Sequence, residues 1–217
     1  MWVGIVYKVL LFFPLVKAGV MGWKYKFSAQ NYLFFYFLIT ATNEWVSFIR
    51  DWYNPDVKVG LQYNLYFIFC IIFFSIYLKE HFLGWIGKIS LILTFLSLSY
   101  ILFFTTFHGQ EFDKKIGIII IIFYILNSLL WFYQKIAFFD EYKITDDPAF
   151  WIFTALLMWS CFFLFRVTPM FYFAKEDNEF LQFLRVGQNV INIVMYLLFY
   201  IALLKFENKL KHTTYAG

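Results

Sequence analysis

The stretch "IGIIIIIFYILNSLLWFYQ", residues 116–134, runs for nineteen positions without a charged side chain. A helix rising 1.5 Å per residue needs about 20 mainly apolar residues to cross a hydrocarbon core of about 30 Å. The stretch therefore predicts a membrane-spanning helix, interrupted only by Asn127 and Ser128 near its middle. Its isoleucine run, 118–122, is expected to face lipid.

Working outward, runs of similar length recur along the chain. They cover about 2–22, 31–50, 59–78, 86–107, 149–166 and 184–204, which with 116–134 makes seven spans. Charged or turn-forming breaks separate them, such as "DWYNPDVK" and "KEHFLGWIGK". Counts of six or eight fit the same pattern, because the first run carries Pro14 and Lys17 and the segment after the sixth is aromatic-rich. Composition agrees: 62% of the 217 residues are hydrophobic and 26% aromatic, where a soluble domain is nearer 45–50% apolar. The fold class is an all-α polytopic transmembrane helix bundle, with residues 1–217 as one integral-membrane domain.

The first run has no basic leading segment and no A-x-A-type site, so it is not expected to be a cleaved signal peptide. Counting Lys and Arg near span ends favours a cytoplasmic C-terminus and an external N-terminus by ten to eight, with Lys8, Arg50, Arg166 and Arg185 on the external side. Trp2, Trp23, Trp52, Trp85 and Trp151 fall near span ends, where an interfacial aromatic belt is expected. Cys70 and Cys161 lie inside apolar runs and read as small buried hydrophobes. No basic cluster exceeds three residues, which argues against nucleic acid as a partner.

Polar residues within the spans are the informative minority. At 100° per residue, Thr40, Asn43, Glu44, Ser47, Arg50 and Asp51 fall within about a third of the second span's circumference. On the seventh span Arg185, Gln188, Asn189, Asn192 and Tyr196 follow i, i+3, i+4, i+7 and i+11. Unpaired polar groups are costly in lipid, so both seams are expected to turn inward. Arg166, at the end of the sixth span, joins the same membrane face. The candidate site is thus Asn43, Glu44, Ser47, Arg50, Arg166, Arg185, Gln188, Asn189 and Asn192. It is either a ligand pocket open to the non-cytoplasmic side or a network that only holds helices together. Ser90, Thr94 and Ser97 mark close helix packing, Lys17 is placed to snorkel, and Asp147 with Pro148 caps the sixth span.

No histidine lies within a span, so haem ligation has no axial pair. Zinc and serine-hydrolase motifs are also missing, and "HGQEFDKK" reads as a solvated loop rather than a metal site. No cofactor is expected. The lipid bilayer is the expected environment, with another membrane protein or a small ligand as the further partner.

The segments "YNLYFIFCIIFFSIYLKE" (63–80), "DPAFWIFTALLMWSCFFLF" (147–165) and "NVINIVMYLLFYIALLK" (189–205) together resemble a family of small, functionally uncharacterised seven-helix bacterial membrane proteins. Some members of that family are encoded near sensor histidine kinases. Pro148, Phe150, Trp151, Leu156, Leu157 and Asn192 fit its pattern. Cys70 stands where the family often has an acidic residue, and "SCFF" where it tends to have Ser-Gly-Asn. The resemblance implies a seven-helix architecture and a bacterial inner membrane as the location, and it brings no established activity.

Four functions follow as expectations. A non-enzymatic sensor or signalling accessory comes first. A small-solute or ion transporter using Glu44 is the alternative, followed by a structural subunit of a larger membrane complex. A lipid-modifying enzyme would need a second catalytic group that the sequence does not offer.

Overall fold

The computed structural model describes residues 2–25, 32–54, 59–138, 143–173 and 178–215. Eight α-helices make up nearly all of it: α1 (Trp2–Leu10), α2 (Phe12–Tyr25), α3 (Leu33–Tyr53), α4 (Gly60–Lys79), α5 (Gly84–Phe104), α6 (Lys114–Ala137), α7 (Pro148–Phe173) and α8 (Asn178–Tyr215). A short 3₁₀ turn, Ile144–Asp146, precedes α7.

The first two helices form a single span with a break at Leu11. Helical bonds continue on either side, from Leu11 N–H to the Tyr7 carbonyl (3.0 Å) and from Leu15 N–H to the Leu11 carbonyl (3.3 Å). Pro14 has no N–H to donate to the Leu10 carbonyl, which removes one rung and marks the break. Treating α1 and α2 as one gives seven long helices, as the apolar runs imply.

Six of these seven are long and apolar enough to cross a membrane. The exception is α3, whose 21 residues match the others in length while its polar seam lowers its hydropathy. Helix ends nevertheless alternate through all seven. At one face Asn64 of α4 binds the segment leading into α6. At the other, Gln134 of α6 bonds the α4–α5 turn, donating to the His81 carbonyl (3.0 Å) and accepting from Leu83 N–H (2.8 Å).

Segment bounds shift modestly from the apolar runs, except that α7 runs on to Phe173 and α8 reaches 38 residues. At 1.5 Å per residue it extends about 57 Å, well past a hydrocarbon core of about 30 Å. The isoleucine run is a correction. Ile118 and Ile122 are exposed, but Ile120 and Ile121 are buried. Five consecutive residues sweep more than a full turn, so they cannot share a lipid-facing side. Cys161 is likewise exposed on the bundle surface while Cys70 is buried, and both are free thiols.

Polar side chains link the helices in a short zipper. Ser90 of α5 donates to Asn127 Oδ1 of α6 (2.5 Å), and Thr94 of α5 donates to Ser75 of α4 (2.9 Å). The expected packing role of Ser90 and Thr94 is therefore visible as hydrogen bonds. Asp147 Oδ1 accepts from Ala149 N–H (3.0 Å) at the start of α7, as a helix cap should. Asp113 does the same for α6, accepting from Lys115 N–H (2.8 Å) and, through its other oxygen, from Thr106 N–H (2.8 Å). Partial burial would raise the Asp113 carboxyl, but the Thr106 and Lys115 amides outweigh it and hold its pKa below the usual range. Trp23, Trp52 and Trp85 are all exposed near helix ends, where the aromatic belt is expected.

The closest approach involves Gly60, the first residue of α4. A Cβ there would lie 2.1 Å from both the Glu111 carbonyl carbon and the Phe112 nitrogen, which are backbone atoms and cannot rotate away. Gly60→Ala is therefore expected to cost at least about 1–3 kcal/mol. Thermal unfolding in detergent, read against Gly87→Ala, checks this. Gly87 sits on α5, where a Cβ would make only ordinary contacts.

Candidate functional site

A cavity of about 330 Å³ lies between α1, α3, α4, α6, α7 and α8. That volume is at the lower end of small-molecule sites, which run from about 300 to 1,000 Å³. Cys70 and Tyr124 line the cavity ten residues into their helices, about 15 Å deep, and Tyr36 lies lower still, against Phe73 and Phe74. Its upper residues, Arg166, Gln188 and Asn189, belong to the α7 end and the early turns of α8.

The second span's seam divides into two uses. Asn43 and Ser47 are buried against α4. Gln62 Nε2 donates to the Asn43 carbonyl (2.7 Å) and to its Oδ1 (3.0 Å). The Tyr63 hydroxyl donates to Ser47 Oγ (3.3 Å), and Thr40 Oγ1 shares a bond with the Tyr66 hydroxyl (2.9 Å). These contacts fasten helices together, at about 0.6 kcal/mol each by the measured average for such bonds. Glu44 instead turns toward α1 and the cavity.

Glu44 is held from α1. Lys8 Nζ donates to Glu44 Oε2 at 2.6 Å, and the Tyr7 hydroxyl donates to the same oxygen. The Lys8 and Glu44 side chains are 11% and 12% exposed, so the pair is buried. In the sequence Lys8 enters only the charge count, and Tyr7 does not stand out. A usable signal was present, because Lys8 lies six residues from the N-terminal end of its span and Glu44 six residues from Arg50. Both then sit at similar depth below the same face.

The seventh span's seam also enters the cavity. Trp159 Nε1–H donates to Asn192 Oδ1 (2.9 Å), and Gln188 Nε2 donates to the same oxygen (3.2 Å). An indole nitrogen can only donate, so Trp159 fixes which end of the Asn192 amide it meets. That in turn points the Gln188 nitrogen at Asn192 and leaves Gln188 Oε1 buried without a partner. Asn189 faces α1, where a Cβ on Gly4 would be 3.5 Å from its Nδ2.

Of the nine residues singled out from sequence, Glu44, Arg166, Gln188, Asn189 and Asn192 line the cavity. Asn43 and Ser47 of α3 lie outside the wall, bonded to Gln62 and Tyr63 of α4. Arg50 is half-buried and Arg185 exposed, and neither lines the wall. Most of the wall is aromatic. Six tyrosines contribute to it: Tyr7, Tyr36, Tyr63, Tyr66, Tyr124 and Tyr196. Trp159 stacks on Phe163 with centroids 4.6 Å apart and planes at 27°, forming one flat side.

The opposite face carries separate ion pairs. Lys17 Nζ meets Glu207 Oε2 at 2.5 Å, so its partner is a carboxylate on α8 rather than water alone. Lys205 meets Asp146 at 2.7 Å and Lys135 meets Asp147 at 3.0 Å. Among the described residues, no group of three or more His, Cys, Asp or Glu is arranged to hold a metal ion.

No protein-family model, curated protein or solved structure matches the chain.

Proposed function

We propose that the protein is a non-enzymatic membrane sensor or signalling accessory. Its cavity takes a small amphiphile, and α8 carries the bound state to the far face. The observation that carries this reading is the cavity itself, polar at its upper end and aromatic below, in a bundle otherwise packed with large apolar side chains. α8 supports the second half. It contributes Gln188, Asn189 and Asn192 to the cavity, and nineteen residues beyond Gln188 it offers Glu207 to Lys17. That separation is about 28 Å along the axis, close to the hydrocarbon thickness. The first span runs alongside, with Tyr7 and Lys8 at the cavity and Lys17 at the far end. Its Pro14 break removes one helical rung between the two halves. In the proposed topology the cavity faces the outside of a bacterial inner membrane and the Lys17–Glu207 pair faces the cytoplasm, where a partner kinase would read it. The resemblance to proteins encoded near sensor kinases agrees with this placement.

The test uses the whole protein in lipid nanodiscs with three probes that share a ten-carbon chain: decanoate, decanol and decyltrimethylammonium. At least one is expected to bind one-to-one by native mass spectrometry and to be lost in the cavity-filling variants Ile120→Trp and Met195→Trp. Binding is also expected to change hydrogen exchange both at 185–196 and at 203–211. A change confined to the first segment would remove the relay. No binding by any probe would remove the cavity reading altogether. Glu44 facing the cavity favours the transporter as the second reading. Flux of a bound probe into proteoliposomes, lost in Glu44→Gln, would put a carrier in place of a sensor.

A further inference from the structure

The charges around the cavity do not balance. Glu44, its carboxylate, is matched by Lys8 at 2.6 Å and hydrogen-bonded by Tyr7. Arg166, its guanidinium, has no hydrogen-bond or ion-pair partner among the described residues. Arg166 is half-buried and lines the cavity wall. Outside the wall, exposed Arg185 of α8 and exposed Asp51 of α3 carry opposite charges at the same end, which leaves Arg166 as the excess charge on the wall itself. A guanidinium drawn partly out of water at the end of a membrane helix is costly unless an anion answers it. Its planar fork matches a carboxylate with two parallel hydrogen bonds.

We infer that the cavity binds an organic anion with a carboxylate-type head on Arg166 and an apolar body against the aromatic wall. This rests on the cavity being a ligand site, as proposed above. Below Arg166 the wall offers Phe67, Phe163, Ile120 and the flat face of Trp159, which receive an alkyl or aromatic body equally well. The aromatic lining alone would also suit an organic cation, since tyrosine and tryptophan faces attract positive charge. Arg166 decides against that. With Glu44 already neutralised, a cation would meet one uncompensated positive charge and find no free carboxylate among the described lining residues.

Such an anion has two sources, a fatty acid arriving through the bilayer or a water-soluble arylacetate arriving from the aqueous side. Decanoate and phenylacetate represent them. Native mass spectrometry of the nanodisc-embedded protein is expected to show decanoate, phenylacetate or both bound in preference to decanol and decyltrimethylammonium. Binding of decanoate alone assigns the membrane source, and phenylacetate the aqueous one. Arg166→Gln is expected to weaken the bound anion by about ten- to hundredfold, the loss of a charge-assisted hydrogen-bonded contact. Arg166→Lys, which keeps the charge but not the fork, is expected to fall between. Arg50→Gln, outside the wall, is expected to bind as the wild type does and to report on folding. Equal anion binding by Arg166→Gln overturns the assignment. So does preference for decanol or decyltrimethylammonium, and in that case loss of binding in Ile120→Trp still upholds the cavity as a site. If no probe binds at all, both the anion assignment and the cavity reading fall.

Discussion

Lys8→Met is expected to destabilise the bundle by about 3–5 kcal/mol, the cost of stripping one partner from a buried ion pair. The magnitude follows from what remains. Glu44 is only 12% exposed, and its other donor, the Tyr7 hydroxyl, is neutral. A carboxylate held inside a helix bundle with no cation in contact keeps its desolvation cost and loses most of the Coulomb term that offset it, since Arg166 shares the cavity but does not touch it. A solvated pair would behave differently, since exposed salt bridges contribute about 0–1 kcal/mol. Equilibrium unfolding in mixed detergent micelles separates these cases. The double variant Lys8→Met with Glu44→Gln is expected to recover most of the loss, because it removes both charges and lets Tyr7 donate to an amide oxygen. A single-variant loss below about 1 kcal/mol would show that water reaches the pair freely.

That pair also shows where sequence reasoning succeeds and where it stops. The apolar runs and their breaks are legible because membrane crossing imposes a length on each helix, and a length is a one-dimensional property. The seams on α3 and α8 are legible for a related reason: few polar residues occur there, so their angular spacing stands out against an apolar background. Lys8 was harder. A lone lysine near a span end reads as an interfacial charge until α1 is known to pack beside both α3 and α8. The cavity wall was not legible at all. Tyrosine and phenylalanine occur throughout this chain, so nothing in the spacing of Tyr36, Tyr66 or Tyr124 distinguishes a wall residue from a packed one. The division of the α3 seam was equally hidden. Asn43 and Glu44 are adjacent in sequence and 100° apart on the helix, which is enough to send one to α4 and the other to α1.

Trp131→Ala is the second large effect, and its physics differs because lipid rather than water is the reference. Trp131 is 1% exposed and stacks on Phe153, with centroids 4.9 Å apart and planes at 15°. In a soluble protein an indole deletion loses both transfer energy and packing, about 3–5 kcal/mol in all. In a membrane the unfolded helices already rest in an apolar solvent, so the transfer part shrinks and the packing part remains. The cavity left beside Phe150 and Phe153 forfeits dispersion contacts that lipid tails outside the packed bundle do not replace. The expected loss is therefore near the lower end, about 3 kcal/mol, measured by the same micelle titration. Trp131 lies seven residues beyond Tyr124 on α6, about 10 Å further from the Arg166 end. Its removal is thus expected to lower stability while leaving decanoate or phenylacetate affinity unchanged at temperatures where the variant stays folded. A parallel fall in affinity would mean that the packed lower half of the bundle holds the cavity open, and that α6 and α7 move as one body with it.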